Sequence, residues 1–264
     1  MAEFFLAPGK SIHKILNADE EKKLEGLLKK YSTDQHEFKD MKYFYENYII
    51  TDFIEYDKVT KDELFFLASI LIKTVTTNGS SFFITPDHTK FISYVTQNIL
   101  KPLSDFEREI DRIKLIGSIL LVNSTSPPQL PYPLNNILQT ICSFYGPTIA
   151  SYVAFPFLEF ICKYISPYLN VDGKLISLPS TRKHVPYKDK ISSIKEIFYI
   201  TEVSFPSELK SLFIHLDEKV DLYDRVKTHR DNLLHGRISH TWESYTLFLL
   251  LVLIYISKNN FPNQ

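Results

Sequence analysis

Near the C-terminus, the segment Val226-Lys-Thr-His-Arg-Asp-Asn-Leu-Leu-His-Gly-Arg237 gathers three side chains that could do chemistry together: Arg230, Asp231 and His235. A guanidinium stays charged and presents a planar fork of donors that suits a phosphate or carboxylate, while an imidazole exchanges a proton near neutral pH. A carboxylate between them can orient the imidazole and raise its basicity, or else position the guanidinium. Such a set is equipped to clamp an anion and move a proton beside it.

The element that must present them is a helix. Read from about Asp217, the apolar residues Val220, Tyr223, Val226, Leu233 and Leu234 recur at three- and four-residue steps, and Arg230 falls on the same stripe. An arginine on an apolar stripe needs a partner or an anion. Asp231 and His235 are four residues apart and so share one face, with Arg230 about 100° round the axis from Asp231. Gly236, free to take positive φ, is placed to end the helix.

The run Arg230, Asp231, Asn232-Leu233-Leu234, His235, Gly236 resembles the motif of the HEPN family of helical ribonucleases: Arg, a polar residue, a few more residues, then His, often followed by Gly. Where Asp231 stands, family members more often carry Asn or His. The resemblance covers about the last half of the chain. It implies a small up-and-down helical bundle and metal-independent cleavage of RNA by attack of the 2′-hydroxyl, leaving 2′,3′-cyclic phosphates. Arg230, Asp231 and His235 would be the catalytic residues. It also implies a homodimer in which two motifs form one composite site, and a defence, toxin–antitoxin or stress-response setting with a protein antitoxin or regulator as a further partner. The chemistry fits the residues: cleavage needs a base, an acid and a cation against the charge growing on phosphorus. The alternative is a catalytically silent helical module that dimerises or binds a partner. There Arg230 is a salt-bridged core arginine and His235 merely favours the helix dipole.

Composition sets the outer bounds. The chain has 264 residues, 44% hydrophobic and 23% charged, with 7 Gly against 20 Phe and 16 Tyr, which points to long regular elements and an aromatic-rich core. Thirty basic residues balance 31 acidic ones, so RNA contact must come from a local patch. The basic cluster is Arg182, Lys183, His184, Lys188 and Lys190, and Arg182, Lys183, Lys188 and Lys190 are the candidate substrate-binding residues. Cys142 and Cys162 lie in apolar surroundings, which together with the absence of a signal peptide leads to the expectation of a cytoplasmic protein. No metal-ligand spacing, phosphate-cradling glycine loop or dinucleotide fingerprint occurs, so neither metal nor cofactor is expected.

Along the chain, Asn17 caps a helix to about Lys30, and 35–58 is dense in Tyr and Phe at helical spacing. Thr60-Lys-Asp-Glu63 and Ser104-Asp-Phe-Glu107 read as capping boxes for helices over 61–76 and 105–122, and Pro86 opens another to about Leu100. The proline cluster at 127–133 divides an N-terminal helical region, 1–126, from a HEPN-like helical domain, 134–264. Helices resume over 134–145 and 147–165, the second interrupted or kinked at Pro156, and Asp172-Gly173 between apolar runs suggests a small hairpin. The apolar run 245–256 is too short for a bilayer and reads as a central core helix capped by Ser239 or Thr241, so no membrane is expected. The predicted class is all-α: a helical bundle with one small hairpin or loop insertion.

Overall fold

The computed structural model describes residues 15–31, 55–78, 86–99, 107–124, 145–177 and 190–258. Nine α-helices run through them: α1 (Ala18–Tyr31), α2 (Lys61–Asn78), α3 (Pro86–Tyr94), α4 (Glu107–Ser124), α5 (Gly146–Ile165), α6 (Ile194–Thr201), α7 (Ser207–Val220), α8 (Leu222–Leu234) and α9 (Thr241–Lys258). No β-strand occurs among the described residues, and the fold is all-α.

The arrangement follows from α9. Its residues from Leu247 to Ile256 are all buried, so it offers no polar side to water and must be enclosed by other helices. α2, α4, α5 and α7 enclose it, and the core they form is one continuous cluster. Helices on either side of the proline-rich stretch at 127–133, which lies outside the described residues, therefore pack together.

Two helix starts form as local sequence dictates. Asn17 and Glu20 exchange side-chain-to-backbone hydrogen bonds of 2.9 and 3.1 Å, and Thr60 and Glu63 do the same at 3.3 and 2.9 Å. Glu63 also accepts from Tyr31 Oη (2.8 Å) and Lys30 Nζ (3.1 Å), so the cap of α2 ties down the end of α1. Burial alone would raise the Glu63 pKa, but the donors from Thr60, Tyr31 and Lys30 outweigh it and hold the carboxyl at about 2. A partly buried Lys73–Glu20 ion pair makes a second tie between the two helices.

Elsewhere packing decides. Pro156 lies on the exposed side of α5 and the helix continues through it. The helix opened by Pro86 widens into a π-turn at Val95–Ile99. The hairpin expected around Asp172-Gly173 is reduced to isolated bridges, Leu169 with Leu175 and Lys174 with Lys190, closed by Gly173 at φ 80°. α9 begins at Thr241, with Glu243 accepting from the His240 N–H at 2.8 Å, so position 240 rather than Ser239 or Thr241 precedes the helix. Of the aromatic stretch 35–58 only the end is described, where Tyr56–Lys58 form a single 3-10 turn; positions 134–144 of the helix expected over 134–145, and the Ser104 capping residue, lie outside the described residues. By length and composition α5 could cross a membrane, and half of that window is buried inside the protein.

Gly117 of α4 marks the tightest approach. A Cβ there would stand 2.3 Å from Thr96 Oγ1 and 3.1 Å from Phe248 of α9. Gly117→Ala should therefore destabilise the fold by about 1–3 kcal/mol through overpacking. Gly26→Ala, on the open side of α1 with nothing within 4 Å, should stabilise by about 0.5–1 kcal/mol. Urea midpoints of the two variants check both signs.

Candidate active site

The helix that carries the motif is shorter than the apolar periodicity predicts. Asp221 adopts a left-handed conformation at φ 51° and breaks the run, so α7 ends at Val220 and α8 starts at Leu222. The side chain of Asp217 accepts from the Tyr223 N–H at 3.0 Å, satisfying one of the donors freed by the break. Tyr223 then anchors the start of α8: its ring stacks on Phe198 at 5.4 Å and its hydroxyl donates to Glu202.

The far end closes as the glycine suggests. Gly236 takes φ 78°, its N–H bonds Leu233 O at 2.9 Å, and the Arg237 N–H bonds Asn232 O at 3.0 Å, the paired bonds of a Schellman turn. His235 is the last residue before this turn, and its imidazole is exposed with no hydrogen bond or ion pair among the described residues.

Arg230 finds the partner its position demands. Its Nε donates to Glu159 Oε1 of α5 at 2.7 Å, and its Nη1 lies 3.6 Å from Asp231 Oδ1. The side chain remains 29% exposed, in a cleft of about 150 Å³ with Tyr152, Pro156, Glu159 and Leu234. The other oxygen of Asp231 accepts from Lys227 Nζ at 3.0 Å. Of the two roles open to this carboxylate, orienting His235 or positioning Arg230, its contacts are those of the second: it engages Lys227 and Arg230. Tyr152 also donates to Leu233 O at 2.8 Å, locking α5 to the last turn of α8.

A second cluster, which sequence reasoning did not assemble, sits on the buried side of α8. His229 Nε2 lies 3.2 Å from Ser239 Oγ and 3.3 Å from Ser151 Oγ, the two hydroxyls are 2.8 Å apart, and His229 Nδ1 lies 3.4 Å from Glu243 Oε2. This joins α5, α8 and the start of α9. Burial pushes the His229 pKa down, opposed by Glu243 and assisted by His240. The order Ser, His and carboxylate resembles that of a nucleophilic triad, but Ser151 and Ser239 are sealed at 0% and 2% exposure, which leaves no hydroxyl for a substrate to meet. The signal that could have flagged Glu243 is its place three residues after His240, at the start of an apolar run. Beside His229 opens a cavity of about 370 Å³, lined also by Asn232, Trp242, Glu243, Arg225 and Leu247.

Of the basic cluster, Lys190 is exposed and pairs its backbone with Lys174, while Arg182, Lys183, His184 and Lys188 lie outside the described residues. No group of His, Cys, Asp and Glu that could hold a metal occurs among the described residues. Cys162 is fully buried, which raises its thiol pKa far above the ordinary range and makes it a core residue. The chain matches no family model, no curated protein and no solved structure.

Because burial depresses the His229 pKa, the unfolded chain binds this proton first as pH falls. The contribution is therefore present above the unfolded value of about 6.5 and is lost as pH falls from there toward the folded pKa. Denaturation midpoints should drop between about pH 7.5 and about pH 5 in the wild type, and drop less in His229→Gln. The comparison isolates His229 from His215, whose pKa burial also lowers.

Proposed function

We propose that the protein is a metal-independent endoribonuclease of the HEPN type, with Arg230 and His235 as its reacting pair. What carries this reading is the exposed, unengaged imidazole of His235 at the end of α8, five residues beyond a guanidinium that is partly open to solvent. In this reading His235 moves the proton of the 2′-hydroxyl or of the leaving 5′-oxygen, and Arg230 stabilises the charge growing on the phosphate. Asp231, bonded to Lys227 and close to Arg230, positions the guanidinium rather than the histidine.

One chain offers one such histidine where the reaction wants both a base and an acid, so a second copy completes the site. The surroundings favour this. Tyr145 just before α5, Ile149 and Tyr152 along it, and Leu234 and Ile238 around the α8–α9 turn are all large apolar residues left exposed, Leu234 by 63%. They flank the motif and supply the apolar surface that a partner copy would cover. The RNA path would run over the basic stretch 182–190, and the biological setting would be defence, a toxin–antitoxin pair or a stress response.

The silent interaction module is favoured by one observation, the 2.7 Å bond from Arg230 to Glu159, which already neutralises the guanidinium. Glu159→Gln separates the two readings. Release of the guanidinium should preserve or raise RNA cleavage if Arg230 meets phosphate, and should cost only stability if the pair is structural.

Single-stranded RNA should be cleaved in the presence of EDTA, and Arg230→Ala and His235→Ala should each reduce cleavage by about a hundredfold or more while remaining folded. Asp231→Asn should cost less, since both reacting groups remain. Sedimentation should give a dimer, and neutralising Arg182, Lys183, Lys188 and Lys190 together should weaken binding and flatten its salt dependence. Absence of cleavage on any RNA offered, or full activity in His235→Ala, would make the silent module the better account.

A further inference from the structure

Every cation on α8 is already committed. Arg225 donates to Thr76 O at 2.7 Å, Lys227 to Asp231 at 3.0 Å and Arg230 to Glu159 at 2.7 Å. Arg230 also stands five residues from His235, which separates their Cα atoms by about 140° round the axis and about 7.5 Å along it. Within one chain, a phosphate that reaches the imidazole finds no uncommitted cation on the same helix.

Arg237 differs from all three. It is exposed two residues past His235, and its guanidinium has no hydrogen bond or ion pair among the described residues. Its surroundings offer no carboxylate: no acidic residue occurs from Asn232 to Trp242, nor along α5 from Gly146 to Leu158. That part of α5 backs the turn, since the Ser239 N–H bonds Thr148 Oγ1 at 3.0 Å and the hydroxyls of Ser239 and Ser151 are 2.8 Å apart. On its other side the Arg237 N–H is tied to Asn232 O at 3.0 Å. The backbone of Arg237 is thus pinned before and after it, while its charged end is left unpaired. Two residues of chain span at most about 7 Å, so a long side chain at this position reaches a phosphate in contact with the His235 imidazole.

We propose that Arg237 binds the RNA phosphate presented to His235, so that the proton-transfer group and its phosphate anchor come from the single turn His235-Gly236-Arg237. This rests on the nuclease reading and adds to it a residue outside the Arg-to-His motif. Arg230 opposes the charge that grows on phosphorus, whereas Arg237 holds the phosphodiester in place before the reaction. An arginine that served only the dipole of α8 would leave RNA affinity untouched.

A labelled single-stranded oligonucleotide with 2′-O-methyl sugars cannot be cleaved by 2′-hydroxyl attack, so its anisotropy with the full-length protein reports contact alone. Removing one phosphate contact lowers the salt slope on a single strand by about 0.7, which corresponds to roughly tenfold weaker binding at about 50 mM salt. Arg237→Gln should show both changes with the melting temperature of wild type. Arg237→Lys, which keeps the charge but not the fork, should keep the slope and lose part of the affinity. On cleavable RNA, Arg237→Gln should raise KM by roughly tenfold and leave kcat within about threefold, in contrast to Arg230→Ala. A wild type that binds through Arg237 but cleaves nothing supports the contact and sinks the nuclease reading. An Arg237→Gln protein that binds and cleaves as wild type does overturns the contact and leaves the nuclease reading standing. The contact is also overturned if wild type does not bind the oligonucleotide, or if Arg237→Lys shows the flattened slope of Arg237→Gln.

Discussion

A helix with no polar face dictates the architecture. α9 buries every residue from Leu247 to Ile256, and exposure of any side of it would leave several large apolar side chains in water. The remaining elements are consequently distributed around it, with α2, α4, α5 and α7 in contact along its length. Close approach is achieved where a side chain is missing, as at Gly117, where α4 meets Phe248. α8 lies against α5, α6 and α7, which leaves one side of its last turn exposed.

The candidate site depends on how α8 is held at both ends. Tyr223 and Asp217 secure its start, and Tyr152 and the Gly236 turn secure its finish. Between them His229 is fastened to Ser151, Ser239 and Glu243, so α5, α8 and α9 share one buried polar junction. A polar network in a low-dielectric interior is costly unless its members satisfy one another, and here each one finds a partner. The consequence is a helix fixed at both ends and along its buried side.

The same holding separates the side chains of the motif by environment. Arg230 turns toward α5 and Glu159, while His235, just past the last helical turn, faces solvent. Their roles in the proposed chemistry differ in the same way: the guanidinium must be fixed and ready to receive a phosphate, and the imidazole must be free to exchange a proton with a substrate. Glu159 acts as the counter-charge that keeps a partly buried guanidinium acceptable.

Features set by neighbours in the chain were legible in the amino-acid sequence. The all-α class, the core role of 245–256, the Asn17 cap, the box of Thr60 with Glu63, and the glycine turn after His235 each rest on residues within a few positions of one another. What lay beyond that range was decided by tertiary structure alone. The partner of Arg230 is 71 residues away and one of the partners of His229, Ser151, is 78, and no local pattern encodes such pairings. The same holds for the break at Asp221: apolar periodicity runs on unbroken across it, and the left-handed residue is offset by the Asp217 bond to the Tyr223 N–H and by packing of that ring against α6. Periodicity specifies which side of a helix is buried, whereas the elements that cover it determine where the helix stops and which buried polar groups meet.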